Sequence, residues 1–487
     1  MKTTMGGDGR GTCDGPVVII GAGPAGLTAA YSLARRGVEV IVVEQDCLPG
    51  GIAKTVEYKG FRFDIGGHRF FTKFQAVREL WHELLGDELL VRPRVSRIYC
   101  RGRFFDYPLR VGNVFLGFGI VESFLILGSY LRSRIFRISP EKTLADWVTN
   151  RFGRRLFNLF FRSYTEKVWG VLCDQIGAQW AAQRIQGLSL RTALAAMFRR
   201  PGGSGSGEPV RTLIGSFLYP RLGPGMMWDA LCRDITEHGG TIRFASSVTR
   251  ICHENGRIAA VEVKDRHGFS LLAVAHLIST MPLQQVAPTL SESVPSEVLE
   301  AAGKLRYRDF LTVALIVNGA DLFPDTWVYI HDDALRVGRI QNFKNWSPAM
   351  TPDPGKSCLG MEYFCFEDDE LWSMTDVDLI GLATSELEAT GLVSSGMVID
   401  GTVVRITRAY PMYDEGYQER VTIIREYLAG FDNLQVIGRN GMHRYNNMDH
   451  SMLTGLLASR NLFGENNDLW SVNGDEEYHE EGSDVTG

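Results

Sequence analysis

The feature that most constrains this chain is a glycine-rich segment near its start, PVVIIGAGPAGLTAAYSLARRGVEVIVVE at residues 16–44. Four apolar residues, Val17–Ile20, predict a strand buried on both faces that runs directly into a glycine turn. Gly21 permits the tight turn, Gly23 lets backbone approach a pyrophosphate, and Gly26 lets the next helix pack closely on the strand. The free N–H groups at the start of that helix attract anions. The segment therefore predicts a site for a dinucleotide phosphate.

An acid follows at the spacing that ribose recognition requires. Glu44 lies 18 residues beyond Gly26, at the end of the predicted strand Val38–Val43, where a carboxylate can accept hydrogen bonds from ribose hydroxyls. A second glycine pair, Gly50 and Gly51, comes next, although an NAD site needs only the strand–helix–strand unit. Because glycine allows close backbone approach, this pair favours a larger cofactor, and an ordinary loop is the alternative.

The segment GFRFDIGGHRFF at residues 60–71 completes this pattern. Together the motifs resemble the FAD-binding domain of the glutathione-reductase-like flavoproteins, which include amine oxidases, protoporphyrinogen oxidase, phytoene desaturases and UDP-galactopyranose mutase. The resemblance implies FAD as the cofactor and places Gly67 and His68 beside it. For His68, a hydrogen-bonded structural role in a packed turn is the alternative.

The length and composition of the whole chain indicate how many domains it has and which classes of function they exclude. A chain of 487 residues with 45% hydrophobic residues predicts two or three domains. The net charge of −6 argues against a general nucleic-acid surface. Eight cysteines without CxxC or metal-ligand spacing indicate reduced thiols, no metal site and a cytoplasmic location. The first 15 residues lack an apolar signal-peptide core and are expected to be a disordered lead.

The predicted fold class is α/β, a Rossmann-like FAD-binding domain with an inserted helical segment and an antiparallel-sheet substrate domain. The strand and helix patterns divide the chain into seven consecutive segments. They are a lead at 1–15, FAD-binding segments at 16–100, 216–290 and 416–463, a helical cap at 101–215, a substrate sheet at 291–415 and an acidic tail at 464–487.

An apolar run at residues 114–131, VFLGFGIVESFLILGSYL, begins the second domain. Glu122 and three glycines interrupt it, which makes a membrane span improbable. We expect a buried helix, with interfacial contact to a membrane or a lipid-linked substrate as the alternative. The protein is thus expected in the cytoplasm, with peripheral membrane association through this run left open.

The helix-rich segment that follows resembles one branch of these flavoproteins more than the others. Tyr164-Thr-Glu-Lys-Val-Trp169-Gly, followed by Arg184-Ile185, is similar to the UDP-galactopyranose mutase branch of the amine oxidase and protoporphyrinogen oxidase superfamily. A Gly/Ser-rich loop at 201–209 is predicted to be flexible, and the similar mutases carry a mobile loop over the sugar nucleotide near this point. Tyr164, Trp169, Arg184 and Arg191 are the implied substrate contacts, with ordinary surface arginines as the alternative for Arg191.

Later segments extend the same resemblance. Val248, in a predicted strand, matches the valine that lies against the adenine. Antiparallel strands are predicted at Phe310–Val317, Trp327–Ile330, Arg339–Phe343 and Cys358–Phe364. Arg339 matches the arginine that contacts the substrate diphosphate, for which a guanidinium fork is suited, and Tyr410 matches a substrate tyrosine.

The last diagnostic segment is LQVIGRNGMHRYNNMDH at residues 434–450, a strand, a glycine turn and the start of a helix. In the resembling flavoproteins this segment closes over the ribityl chain and the flavin ring. The implied cofactor contacts are Gly438, Arg439, Asn447, Met448 and Asp449, and Tyr445 is the implied substrate contact.

Two departures from the mutase pattern are visible. Phe71 stands where the mutases carry a second histidine, and Leu188 stands where they carry a further arginine. Arg191, one helical turn later, is the candidate to replace that arginine, because residues three apart share a helix face. The resemblance implies that reduced FAD attacks the anomeric carbon of a nucleotide-linked sugar without net oxidation, with His68, Arg184, Arg339 and Tyr410 as the reaction-site residues. An FAD oxidase or desaturase with a small or lipidic substrate is the second hypothesis, and a non-catalytic flavin-bound protein is the third.

Overall fold

The computed structural model describes residues 15–107, 117–178, 215–291 and 294–473. In these ranges the strands are β1 Val17–Ile20, β2 Val40–Val43, β3 Thr55–Tyr58, β4 Phe61–Asp64, β5 Leu89–Pro93, β6 Ser96–Cys100, β7 Arg103–Asp106, β8 Ser216–Pro220, β9 Thr241–Arg243, β10 Ser247–Glu254, β11 Arg257–Asp265, β12 Gly268–Ala273, β13 His276–Ser279, β14 Tyr307–Asn318, β15 Trp327–Ile330, β16 Arg339–Asn342, β17 Lys356–Cys365, β18 Val398–Pro411 and β19 Leu434–Val436.

The α-helices in the same ranges are α1 Pro24–Ala34, α2 Gln75–Leu85, α3 Ile120–Ile135, α4 Leu144–Phe152, α5 Arg154–Leu156, α6 Arg162–Trp169, α7 Gly225–Glu237, α8 Leu283–Thr289, α9 Ser296–Gly303, α10 Phe343–Trp346, α11 Glu370–Ser373, α12 Asp376–Ala389, α13 Tyr417–Leu428, α14 Gly438–Gly441 and α15 Met448–Asn461. A π-helical turn, Phe157–Phe161, joins α5 to α6.

The chain divides into two compact units. Of the described residues, unit 1 comprises those within 1–51, 228–304 and 419–474, and unit 2 comprises those within 52–227 and 305–418. The strand β8 pairs antiparallel with β5 in unit 2, whereas the sequence places the return to the cofactor domain at residue 216. The seven predicted domain segments stay a prediction.

Unit 1 contains a parallel sheet with the order β19-β13-β1-β2-β9. β1 lies at its centre and pairs in register with β13 and β2. Its four residues are buried, as an unbroken apolar strand in a parallel sheet requires. This confirms the Rossmann-like part of the predicted fold. A separate antiparallel sheet, β10-β11-β12, completes the strands described in this unit.

Unit 2 contains a larger sheet with the order β18-β14-β17-β16-β15-β6-β7. Its neighbours are antiparallel except β15 and β6, which run parallel. The four strands predicted between residues 310 and 364 are confirmed. β14 is buried along nearly its whole length, and α12 packs its apolar side on this sheet.

Two local predictions were wrong. The amphipathic pattern of residues 75–92 predicts one helix, but α2 ends at Leu85, because Gly86 adopts a positive φ of 47°, and residues 89–93 form β5. The polar composition from residue 464 predicts a solvated end, but Arg444 of unit 1 donates hydrogen bonds to the carbonyls of Trp470 and Val472. The acidic residues of this tail, from Asp475 on, lie outside the described residues.

The prediction of a buried helix in the apolar run was also wrong. Residues 120–135 form α3, but most of its large apolar side chains are exposed and its buried positions include Ser123 and Ser133. The part of the run before residue 117 lies outside the described residues. Among the helices described, none is both long enough and apolar enough to cross a membrane.

Candidate functional site

The glycine turn of unit 1 has the geometry that its sequence predicts. Gly21 has a φ of +100°, a conformation that favours glycine, and its N–H donates to the Val43 carbonyl at 2.8 Å. A Cβ on Gly26 would lie 2.0 Å from the Gly21 carbonyl oxygen, so only glycine allows α1 this close to β1. The turn is therefore fixed by backbone sterics.

Gly23 differs from these two glycines. Apart from Gly23 itself and its two chain neighbours, no heavy atom of the described residues lies within 4 Å of the position that a Cβ on Gly23 would take. Gly23 precedes the first residue of α1, and within the described residues no side chain caps this helix end and no acid lies in its first turn. Open space beside helix N–H groups is what a phosphate requires, so these residues fit a dinucleotide.

The second glycine pair folds back onto this turn. Gly50 donates its N–H to the Ala22 carbonyl at 2.8 Å, and a Cβ on it would lie 2.4 Å from the Trp228 ring. A Cβ on Gly51 would lie 3.5 Å from the Cα of Gly23. The two glycine motifs therefore lie side by side in unit 1, although more than 20 residues separate them in the chain.

Glu44 is buried at the same place. Its Oε2 accepts the Ala22 N–H at 2.6 Å, and its Oε1 accepts the Asp46 N–H at 2.8 Å. These bonds hold the carboxylate at the end of β2 beside the glycine turn. Contact with a ribose remains a prediction, in which a hydroxyl shares these oxygens with the backbone.

The carboxyl-terminal motif packs against α1 of unit 1. A Cβ on Gly438 would lie 2.9 Å from the Ala25 Cβ, and one on Gly455 would lie 2.3 Å from the Ala25 carbonyl oxygen. Asn447 is the N-cap of α15 and forms a capping box with His450. Met448 and Asp449 are buried in the first turn of this helix. The start of α14, at Gly438, and the middle of α15, at Gly455, therefore contact α1.

Three further predicted residues lie in unit 1. The Arg439 guanidinium lies 4.1 Å from the centre of the Tyr445 ring and donates to the Asn446 carbonyl. Val248 is half-buried on β10. Contacts of Tyr445 with substrate and of Val248 with adenine remain predictions.

In unit 2, Arg339 is paired with an acid that the sequence analysis did not identify. Its Nε donates to the Glu362 Oε2 at 2.5 Å, and the Glu362 side chain is fully buried. β16 and β17 are neighbours, and these two residues are directly opposite each other. Burial lowers the pKa of Arg339, but Glu362 and Tyr164 more than offset this, so the guanidinium stays charged.

This ion pair lies close to the sequence Gly66-Gly67-His68, which we call the GGH motif. Gln341 donates its Nε2 to the Glu362 Oε1 at 2.7 Å, and a Cβ on Gly67 would lie 2.9 Å from that same nitrogen. The His68 Cε1 lies 3.8 Å from the position of a Cβ on Gly66. Gly66 and Gly67 therefore lie close to Gln341 and Glu362 in unit 2, although more than 270 residues separate the two pairs in the chain.

Tyr164 joins the same cluster from α6. Its ring stacks on His331 with centroids 4.5 Å apart and meets Tyr329 edge-on at 5.7 Å, and Tyr329 is the strand partner of Arg339. Burial raises the pKa of Tyr164 far above its ordinary value and lowers the pKa of His331 to about 3. The tyrosine is therefore a neutral hydroxyl donor over the working pH range.

The lysine of the YTEKVWG motif has a positioning role that the sequence did not reveal. Lys167 donates from Nζ to the carbonyls of Ile330, Asp332 and Val337 at 2.9 to 3.1 Å. Burial lowers its pKa to about 8. These bonds fix α6, and with it Tyr164, against the turn between β15 and β16.

Trp169 and Tyr410 also meet in unit 2. Their ring centroids are 6.5 Å apart, and the Tyr410 ring lies between Phe310 and Phe364, 6.0 and 5.7 Å away. Tyr410 also contributes to the electrostatic surroundings of Arg339. Arg184 and Arg191 lie outside the described residues.

Two arginines of unit 2 were missed by the sequence analysis. The Arg94 guanidinium lies 5.1 Å from the Tyr107 ring and 5.5 Å from the Trp327 ring, and Arg69 lies 5.9 Å from the Trp327 ring. Trp327 and Tyr107 both lie close to Tyr329. The available signal was Arg69 next to His68, but a single arginine is too common to be diagnostic.

The comparisons with known proteins agree with these motifs. A family model described as flavin containing amine oxidoreductase matches residues 24–458. A phytoene desaturase (neurosporene-forming) from Cereibacter sphaeroides is 38% identical over 269 residues, which cover 50% of this chain and 49% of that protein. An inactive all-trans-retinol 13,14-reductase from Danio rerio is 56% identical over 50 residues, 10% of this chain and 8% of that protein. The chain thus spans about half or less of these curated relatives.

A solved structure shares nearly the whole fold. The crystal structure of reduced UDP-galactopyranose mutase has a TM-score of 0.81 and covers 94% of this chain and 97% of its own, at 22% sequence identity. At this identity the likeness concerns the fold, a parallel-sheet α/β core with separate antiparallel sheets.

Proposed function

This chain belongs to the flavin-containing amine oxidoreductase family, and on that premise we propose that it binds FAD and isomerises a nucleotide-linked sugar. Membership implies a flavin cofactor and a small-molecule substrate. The observation that carries the finer proposal is the Arg339–Glu362 pair beside Tyr164 and Tyr329 in unit 2. A charged guanidinium beside tyrosine hydroxyl groups suits an anionic diphosphate attached to a sugar.

In this proposal the FAD diphosphate lies at Gly21, Gly23 and Gly26, and Glu44 accepts a ribose hydroxyl. The open space at Gly23 supports this placement. The remaining proposed cofactor contacts are Gly50, Gly51, Gly67, His68, Val248, Gly438, Arg439, Asn447, Met448 and Asp449. Bound reduced FAD supplies a nucleophile for the anomeric carbon of the sugar.

The chain's own residues bind and orient the substrate. Arg339 uses its Nε for Glu362, and its terminal amino groups would form paired charge-assisted bonds to the diphosphate, which stabilise the negative charge as it departs. Tyr164 and Tyr410 would donate hydroxyl hydrogen bonds to the same group. Trp169 and Tyr445 would contact the sugar nucleotide, and Arg184 and Arg191 would add cations.

A second candidate is an FAD-dependent oxidoreductase with a small or lipidic substrate. The observation that favours it is the match of half the chain to a phytoene desaturase. Phe71, three residues after His68 and at the position where the mutases carry a histidine, is apolar and is consistent with an apolar substrate.

The experiment that tests the first proposal uses purified FAD-loaded protein, oxidised or reduced with dithionite, and UDP-, GDP- and TDP-sugars. We expect product by chromatography only from the reduced protein, with no oxygen uptake. If no sugar nucleotide is converted and an anaerobic apolar substrate bleaches the flavin, the oxidoreductase candidate replaces the mutase.

A matched pair of variants tests the role of Arg339. Arg339→Ala should raise the Kd for the sugar nucleotide at least tenfold, and Arg339→Ala/Glu362→Gln, which contains no uncompensated buried acid, should bind as weakly as the single variant. Recovery of binding in the double variant would contradict direct contact between Arg339 and the diphosphate.

A further inference from the structure

The helix α3, Ile120–Ile135, presents its apolar side outward. Seven large apolar residues on or next to this helix have exposed fractions of 46 to 75%. They follow a helical spacing and form what we name the α3 apolar face: Ile120, Val121, Phe124, Leu125, Leu131, Ile135 and Phe136. Helices on a protein surface normally bury this face and expose the polar one.

The opposite side of α3 packs on the rest of unit 2 through Ile126 and through small and polar groups. Ser123 and Ser133 are almost fully buried, and the Arg155 N–H donates to the Ser129 Oγ at 3.0 Å. A Cβ on Gly153 would lie 2.8 Å from the Tyr130 nitrogen, so backbone contact is close here. The orientation of the helix is therefore fixed by packing.

The single acidic residue of α3, Glu122, is also bound on this inner side of the helix. Glu122 forms a two-bond ion pair with Arg155, at 2.5 and 2.8 Å. The hydrogen bond from Arg155 lowers the pKa of Glu122, which keeps the pair charged. Rotation of α3 to bury its apolar face would break this pair and the Arg155–Ser129 hydrogen bond, and it would expose Ser123 and Ser133.

The charges beside the α3 apolar face are basic. Arg132 and Arg134 lie in the last turn of the helix, and Arg137 follows directly. All three are exposed, and only Arg137 has an acidic partner among the described residues, Glu141 at 3.0 Å. Within residues 117–137 no acid other than Glu122 is present.

From these observations we propose that the α3 apolar face lies in the interfacial region of an anionic lipid membrane. A helix of 16 residues is about 24 Å long, which suits a helix lying in the membrane plane. Its apolar side chains would enter the acyl boundary, while Arg132 and Arg134 would contact anionic headgroups.

A second copy of this chain fits the face less well. Antiparallel pairing of two α3 helices would place the arginines of each copy against the apolar first half of the other. Among the described residues that half offers Glu122 as its acid, and Arg155 already pairs with it. Lipid phosphates supply the missing negative charge.

The test measures co-sedimentation of the full FAD-loaded protein with vesicles of phosphatidylcholine alone or with about one third phosphatidylglycerol. We expect tight binding to the anionic vesicles, at least tenfold weaker binding to phosphatidylcholine alone, and weakening when salt is raised, because salt screens headgroup attraction. Equal binding to both vesicle types, or no binding, would overturn the proposal.

Three variants identify the surface. Ile120→Gln/Phe124→Gln/Ile135→Gln changes exposed side chains and should fold normally, but its binding to anionic vesicles should fall at least tenfold. Arg132→Gln/Arg134→Gln should lose most of the preference for the anionic vesicles. The matched control, Phe269→Gln/Leu271→Gln, changes two residues of β12 with similar exposure and should bind as the wild type does.

Light scattering of the same proteins tests whether a second copy of this chain, and not a membrane, covers the α3 apolar face. A wild type that is dimeric and does not bind vesicles, together with a monomeric α3 triple variant, would assign the α3 apolar face to self-association and overturn the membrane proposal.

Discussion

Asp64, in the motif that precedes the GGH residues, is a carboxyl group whose surroundings favour its neutral form. It is fully buried, accepts hydrogen bonds from Thr55 at 2.8 Å and Tyr219 at 2.6 Å, and ends β4. Burial raises its pKa to about 7, although the two hydrogen bonds lower it. A hydrogen-bonded acid of this kind holds β4 to β3 and β8 within unit 2.

This raised pKa predicts how stability depends on pH. Between about pH 4 and pH 7 the unfolded Asp64 releases its proton while the folded carboxyl keeps it, so the folded state binds more protons and loses stability as pH rises. From a shift of 3.8 to about 7, the loss relative to Asp64→Asn is on the order of 4 kcal/mol.

Urea unfolding of the wild type and of Asp64→Asn at several pH values measures this difference. Asp353→Asn is the control, because its carboxylate is accessible to solvent and a hydrogen bond from Lys356 lowers its pKa. A difference between the wild type and Asp64→Asn that stays constant from pH 4 to pH 7 would contradict the raised pKa.

At the level of elements, the neighbouring strands β16 and β17 are connected by a buried ion pair. The Glu362 side chain is fully buried and Arg339 supplies its counter-ion. Burial raises the pKa of Glu362 and Arg339 opposes this rise. Removal of one partner leaves a desolvated group behind, whereas removal of both does not.

We therefore expect Arg339→Ala to lower the free energy of unfolding by about 3–5 kcal/mol and Arg339→Ala/Glu362→Gln to recover part of that loss. Chemical denaturation of the two variants and the wild type measures both effects. Equal destabilisation of the single and double variants would mean that lost packing around the guanidinium, and not the uncompensated acid, sets the cost.

At the level of the whole molecule, stability is expected to depend on the cofactor. A ligand that binds only the folded state raises the free energy of unfolding by about 2.7 kcal/mol at a hundred times its Kd. Removal of FAD should therefore lower Tm, and added FAD should restore it in a concentration-dependent way. Thermal scans over a range of FAD concentrations measure this dependence.

Gly23→Ala distinguishes cofactor binding from folding in this measurement. The added methyl has open space in the described structure, so Tm without FAD should stay close to that of the wild type, while the rise with FAD should shrink or disappear. Gly381→Ala, on α12 in unit 2 and also in open space, is the control and should keep the full rise. An unchanged rise in Gly23→Ala would contradict the phosphate placement.

The sequence by itself determined the elements whose cause is local. The turn at Gly21 follows from a positive φ, the close approach at Gly26 from the absence of a Cβ, and the buried β1 from four consecutive apolar residues. The strands between residues 310 and 364 are local in the same sense, because short runs rich in apolar and β-branched residues predict strands.

Only the tertiary structure decided which groups meet across long separations and which face of a helix is covered. Glu362 pairs with Arg339 because β16 and β17 are neighbouring strands. Lys167 holds the turn between β15 and β16 because α6 packs there. No local sequence pattern encodes either contact. An apolar run predicts burial for α3, yet Arg155 and Gly153 contact the opposite side of the helix, where its own Ser123 and Ser133 are buried. The neighbouring elements decide which face of a helix is exposed, and the sequence of the helix alone does not specify those neighbours.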